Sequence, residues 1–245
     1  MEAVLGEFKI PSLQHFVTFC GGSVDDIYKR ILRSELDENP ISYRKLRTEW
    51  LFDLLRLGVP YDQVYRACQK LRGQRNRDAN LSALVALKSY LDQERNGSCV
   101  AFEKTYYPIG RRLHVPVNPP LLIVGEAERK VVWVSFWSTE KLKNLTASLF
   151  ATILEEAIFT LPDLREFELE LVDLSRPEPG KPRAMRIRDR GHFPLLDRAV
   201  LKDEMDKFVE AFLRRLKERE ALKSAPKRKP DSGTDGLPLF LDRGV

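Results

Sequence analysis

The spacing of apolar residues changes once along this chain, near residue 97, and that change limits the fold more than any other feature. Up to residue 96 apolar residues recur at helical intervals, and each run is bounded by helix punctuation. Ser23, Ser42 and Asn80 stand where a side-chain oxygen accepts from the free N–H groups of a first turn, which predicts helices over 24–34, 43–57 and 81–94. A helix over 61–72 is entered through Val59-Pro60, and a short one over 11–20 runs into Gly21-Gly22. Gly58, Gly73 and Gly97 supply the stops, since glycine tolerates the left-handed backbone that ends a helix. With no strand signal among them, these helices are expected to form a small all-helical N-terminal domain over residues 1–96.

Beyond residue 97 the pattern alternates. Leu121 to Val124 and Val131 to Trp137 are branched and aromatic runs joined by a short polar turn, which predicts a hairpin. Pro116, Pro119 and Pro120 confine the segment before them to an edge or a turn. Phe167, Leu169 and Leu171 alternate with Glu168 and Glu170, and Pro177-Glu178-Pro179-Gly180 turns the chain into 183–188, a second hairpin in which Arg186 and Arg188 are expected to pair with Glu168 and Glu170. Helical stripes over 145–159 and 198–222 are apolar enough to cover a sheet. The expectation is therefore an α+β fold, with a mostly antiparallel sheet packed by two helices over 97–222. Residues 223–245 read as a disordered basic tail that ends in a hydrophobic short motif, because Ser224 to Gly236 offer no core-forming side chain.

Charge is segregated although the formal net charge is only +5. Arg66, Lys70, Arg72, Arg75 and Arg77 fall within twelve residues that contain no acid, and two further basic clusters lie over 181–190 and 214–229. The remainder of the chain is correspondingly acidic. Such segregation can give a polyanion an electrostatic footprint that the net charge conceals. Around the first cluster, the helix ending near Leu57, the turn Leu57-Gly58-Val59-Pro60 and the helix from Tyr61 have the order of a helix-turn-helix. In that reading Val64 and Ala67 pack inward, while Gln63, Arg66, Gln69 and Lys70 face outward toward bases and phosphates, followed by Arg72, Arg75 and Arg77. Lys227, Arg228 and Lys229 would add contacts from the tail.

Chemistry-bearing motifs are scarce. No glycine-rich phosphate loop, nucleophile elbow or zinc-hydrolase motif occurs, and no cofactor or metal site is expected. Cys20, Cys68 and Cys99 are far apart and odd in number, so they read as buried thiols. His114 and His192 lack a sequence-local partner, and Trp133 and Trp137 read as core. Pro162-Asp163 followed by Glu168 and Glu170 is similar to the carboxylate motif of PD-(D/E)xK nucleases, but the spacing is shorter and the lysine of that motif is absent. Asp173, in phase with Leu171, is the one carboxylate placed toward the interior, and it is the centre of an alternative reading as a metal-dependent nuclease.

No motif assigns residues 1–223 to a family. Gly236-Leu237-Pro238-Leu239-Phe240 resembles the short peptides by which bacterial DNA polymerases and repair proteins bind the replicative sliding clamp, with Gly236 where those peptides carry Gln. The resemblance implies that Leu237, Leu239 and Phe240 enter a hydrophobic pocket on such a partner. Together with the basic clusters it points to a non-enzymatic DNA-associated accessory protein for replication, repair or plasmid maintenance. A protein-binding adaptor or immunity-type protein is the other alternative. No apolar run reaches the length of a membrane span, and the opening residues lack a basic stretch followed by an apolar core, so a cytoplasmic location with no membrane contact is expected.

Overall fold

The computed structural model describes residues 10–36 and 41–224. The tail expected beyond residue 224, including Lys227 to Lys229 and the clamp-like peptide, lies outside the described residues.

Five helices come first. α1 (Leu13–Phe19) and α2 (Val24–Leu36) are followed by a π-helical turn, Leu46–Trp50, that runs directly into α3 (Leu51–Arg56), then α4 (Tyr61–Gln69) and α5 (Gln74–Leu91). Ser23 caps α2 as its position suggests: Asp26 N–H donates to Ser23 Oγ at 3.2 Å, while Ser23 N–H donates to the Asp26 carboxylate at 3.1 Å. Ser42 Oγ accepts from Arg44 N–H at 3.4 Å. Asn80 differs from expectation. It is buried inside α5, which begins six residues earlier, and its amide donates to Ser42 O at 3.0 Å and Asn76 O at 2.8 Å. A polar side chain that can satisfy itself on the preceding turn and on a neighbouring carbonyl need not end the helix, so its capping preference is overridden.

Strands β1 (Ser98–Val100), β4 (Leu121–Val124), β5 (Arg129–Ser135), β6 (Glu168–Asp173) and β7 (Arg186–Arg188) form one sheet in the order β1-β4-β5-β6-β7. All pairs are antiparallel except β5 and β6. These two are joined by α6 (Leu145–Leu154) and the π-helical turn Glu155–Phe159, the kind of crossover that a parallel pair requires. β2 (Thr105–Gly110) and β3 (Leu113–Val117) form a separate hairpin rather than an edge of the sheet. Its turn holds Arg111 at φ 46° and Arg112 at φ 62°, the left-handed geometry of a tight hairpin turn. The long α7 (Arg198–Ser224) closes the described chain.

The mostly antiparallel α+β architecture is the one the alternating pattern implies, and α6 and α7 cover the sheet as expected. Strand parity explains how. Val131 and Trp133 of β5 point to one face with Leu169 and Leu171 of β6, into a core shared with α1, α2, α6, α7 and the β2–β3 hairpin. Val132, Val134 and Val172 point to the other face, where Leu51, Val64, Cys68, Leu84 and Leu87 of α3–α5 meet them. The helices before residue 96 are thus divided between both faces of the sheet, and each group shares a core with it. Among the described residues no helix is long and apolar enough to cross a membrane.

This division has a measurable consequence. Phe16 of α1 is fully buried, with its ring 4.6 Å from that of Phe208 in α7. Phe16→Ala should lower stability by about 3–5 kcal/mol. The loss should appear as one shifted transition in both helical circular dichroism and the fluorescence of the buried Trp133; separate transitions would show that the helices and sheet unfold independently.

Candidate nucleic-acid interface

The segment from α3 to α5 is built from a simple division of labour. Leu51, Val64 and Cys68 are buried against Leu84 and Leu87, which fixes the inner faces of three short helices. α3 is closed by Leu57 N–H and Val59 N–H, both donating to Asp53 O at 3.1 Å. Gly58 then takes φ 64°, a conformation that side chains strain to adopt, and Pro60 leads into α4. This is the order of elements expected of the helix-turn-helix reading. Burying Val64 and Cys68 turns Gln63, Arg66, Gln69 and Lys70 outward, and all four are exposed. Pro60, Asp62, Gln63, Arg66, Ala67 and Lys70 line an open depression of about 560 Å³ on this face. Arg72 and Arg75 are exposed beyond it, whereas Arg77 is half-buried and donates to Gln74 Oε1.

Pairing distinguishes Arg66, Lys70 and Arg72 from most arginines of the other two basic clusters. In the second, Arg186 Nη2 lies 2.7 Å from Asp173 Oδ2, Arg188 is bound to Glu140, and Arg190 Nε donates to Glu155 at 2.8 Å. In the described part of the third, Arg214 meets Asp25 at 2.7 Å and Arg215 meets Glu35 at 2.8 Å, so helix α7 spends these charges on α2. The side chains of Arg66, Lys70 and Arg72 make no ion pair or hydrogen bond with any described residue. Arg66 and Lys70 therefore share one exposed face with no side-chain partner, and Arg72 is exposed just beyond them in the chain, an arrangement that can release counterions from a polyanion.

The second hairpin corrects one expectation. Arg186 and Arg188 do not pair with Glu168 and Glu170. The register sets Asp173 opposite Arg186 and Leu171 opposite Arg188, which puts both arginines on the face of Asp173 and Leu171. Since side chains alternate with a period of two, Glu168 and Glu170 face the other way. Glu170 instead accepts from Tyr90 Oη at 2.5 Å and pairs with Lys130 at 2.7 Å. Glu140, which no pattern in the sequence singled out, takes their place beside Arg188.

Asp173 is buried as its phase with Leu171 implies. Besides Arg186, its carboxylate accepts from Ser175 N–H and Ser175 Oγ, each at 3.0 Å. Its oxygens are thus occupied by a guanidinium, an amide and a hydroxyl. No group of three His, Cys, Asp or Glu side chains that could hold a metal ion is found among the described residues. Asp163, the other motif carboxylate, lies in the single turn Pro162–Leu164. His114 is exposed on β3, and His192 is exposed with its ring edge-on to Phe193. Trp133 is core and Trp137 is half-buried. The three cysteines are buried, and burial pushes the Cys68 thiol up to about 11, so the thiolate is not favoured there.

No family model matches the chain, and no curated protein matches it. Among solved structures, one described as "Crystal structure of SSO0001" is similar over 84% of this chain and 90% of that one, at 16% identity and a TM-score of 0.32.

The Glu140 contact can be tested by pH. A hydrogen bond from Arg188 outweighs desolvation and holds the Glu140 carboxyl below its usual value of 4.5, with Arg186 and Lys143 adding to the effect. A depressed folded-state value means that the stabilisation is present above 4.5 and is lost as pH falls through the folded value. Glu140→Gln should therefore lower stability at pH 7 by about 1 kcal/mol. In urea titrations the gap from the unsubstituted protein should close as the pH is taken down through the carboxylate range.

Proposed function

We propose that this protein is a non-enzymatic DNA-associated accessory protein that grips the phosphate backbone with the outer face of α4 and the loop after it. The observation that carries this reading is the exposed set Arg66, Lys70 and Arg72, whose side chains have no partner among the described residues, while Arg186, Arg188 and Arg190 of the second cluster and Arg214 and Arg215 of the third are tied to carboxylates. A guanidinium in water gains little from staying unpaired, but at a duplex it displaces condensed counterions, and that release drives association. Gln63 and Gln69, on the same face, suit contacts to base edges or to phosphate oxygens.

Replacing Arg66, Lys70 and Arg72 together by Ala should weaken duplex binding nearly uniformly across sequences. The slope of log affinity against log salt should become shallower by roughly 0.9 for each phosphate contact removed. Fluorescence anisotropy at several salt concentrations measures both quantities, and an unchanged slope would remove this surface from the interface.

The resemblance of Leu237, Leu239 and Phe240 to clamp-binding peptides supports the same reading, because it links a DNA-associated protein to the replication machinery. A synthetic peptide of residues 231–245 should bind the sliding clamp of the source organism. Leu239→Ala with Phe240→Ala should abolish that binding and leave the melting temperature of the full chain unchanged. A lowered melting temperature would mean that these side chains serve their own fold instead.

A further inference from the structure

Away from α4, a pocket of about 500 Å³ opens beyond the carboxyl end of β5, between the start of α1 and the helical segment that begins near Tyr43. Its lining is unusual in charge. Arg44 and Arg47 reach it, several hydroxyl groups line it, and no carboxylate does so among the described residues. Neither arginine has an ion-pair partner among the described residues; Arg47 instead donates to Asn118 O at 2.7 Å, which fixes its direction. Directly behind the wall, buried Arg183 donates to Phe136 O at 2.7 Å, to Trp137 O at 2.9 Å and to Tyr43 Oη at 2.7 Å. Two guanidiniums therefore reach the cavity, a third lies behind its wall, and no carboxylate among the described residues lines it.

The same cavity has an aromatic side. Trp137 is half-buried, with the His15 ring standing edge-on at 5.4 Å, and Tyr43 is stacked on Phe136 at 5.7 Å. Because Tyr43 Oη accepts from Arg183, its own hydrogen is available to a ligand. Burial and the nearby Arg47 charge hold the His15 imidazole below its usual value, so at neutral pH it offers one donor and one acceptor rather than a third positive charge. Converging cations with hydroxyl donors suit a phosphate, and flat aromatic walls beside them suit a base.

We infer that this pocket is a binding site for a nucleoside monophosphate, with Arg44 and Arg47 taking the phosphate and the wall around Trp137 taking the base. The site is separate from the α4 surface and does not depend on it. Adenosine 5′-monophosphate titrated into the full chain should give a saturable heat by calorimetry and a change in tryptophan fluorescence that disappears in Trp137→Phe. Arg44→Ala, an exposed position whose loss should leave the fold intact by thermal melting, should weaken binding by about tenfold, and Trp137→Ala should do so by a similar factor. Arg66→Ala with Lys70→Ala and Arg72→Ala should leave it unchanged, which separates this site from the duplex surface. The inference falls if no binding is seen at millimolar nucleotide, or if Arg44→Ala and Trp137→Ala bind as the unsubstituted protein does. It also falls if adenosine alone binds as tightly, because the cations would then be idle, or if inorganic phosphate does, because the aromatic wall would be.

Discussion

Everything else in this molecule depends on burying the parallel pair β5 and β6 on both faces. Val131, Val132, Trp133 and Val134 are all shielded from water in sequence, as are Leu169, Leu171 and Val172 alongside them. Strands of that kind cannot be covered by one helical layer, and here the second layer comes from the N-terminal helices. A polar pin fixes where α1 meets the sheet: Trp133 Nε1 donates to Gln14 Oε1 and Gln14 Nε2 donates to Ser135 Oγ, each at 3.1 Å. The buried indole and hydroxyl are thereby satisfied, and the amide of Gln14 has its direction set at the carboxyl end of β5.

Covering both faces also determines which charges remain available. Packing α2 against α7 brings Asp25 and Glu35 to Arg214 and Arg215, and the crossover loop brings Glu140 to Arg188. These pairs are partly exposed and each contributes modestly, but they cancel long-range potential wherever they form. α4 packs through Val64 and Cys68, with Tyr61 and Tyr65 beside them, and although Asp62 shares its outer face, the side chains of Arg66 and Lys70 form no ion pair with a described residue. The carboxyl end of β5 is the opposite case. There Arg183 satisfies three strand-end carbonyls without a carboxylate, leaving positive charge in a recess rather than on a convex surface. One fold thus offers two cationic environments of different shape, a helix face open to an extended polymer and a pocket the size of a single nucleotide.

The alternating runs of β4 and β5 and the stripes of α6 and α7 were legible because each is a local statement about which side of an element is wet. Gly58 and Ser23 were legible for a similar reason, since turn and cap geometry is satisfied within a few residues. Asn80 was not, because its amide is satisfied partly by Ser42, 38 residues away. The outward placement of Gln63, Arg66, Gln69 and Lys70 is read in the sequence from Val64 and Ala67 packing inward; Val64 does so, whereas Ala67 is half-buried and lines the outer depression. The pocket around Arg47 left no trace in the sequence, since its walls come from three segments far apart along the chain.

By itself, then, the sequence determined the order of the helices and of the strands β4 to β7, the mixed α+β class, the mostly antiparallel sheet and the exposed face of α4, while β1 and the β2–β3 hairpin escaped it. These follow from periodicity and local backbone chemistry, which act over a few residues. Only the tertiary structure decided that the first five helices split across two faces, that Arg186 and Arg188 turn to Asp173 and Glu140 rather than to Glu168 and Glu170, and that the side chains of Arg66, Lys70 and Arg72 have no partner among the described residues. The physical reason is register: a shift of one residue between β6 and β7 exchanges the faces of every side chain, and no local pattern records which long-range pairing gains more by burial.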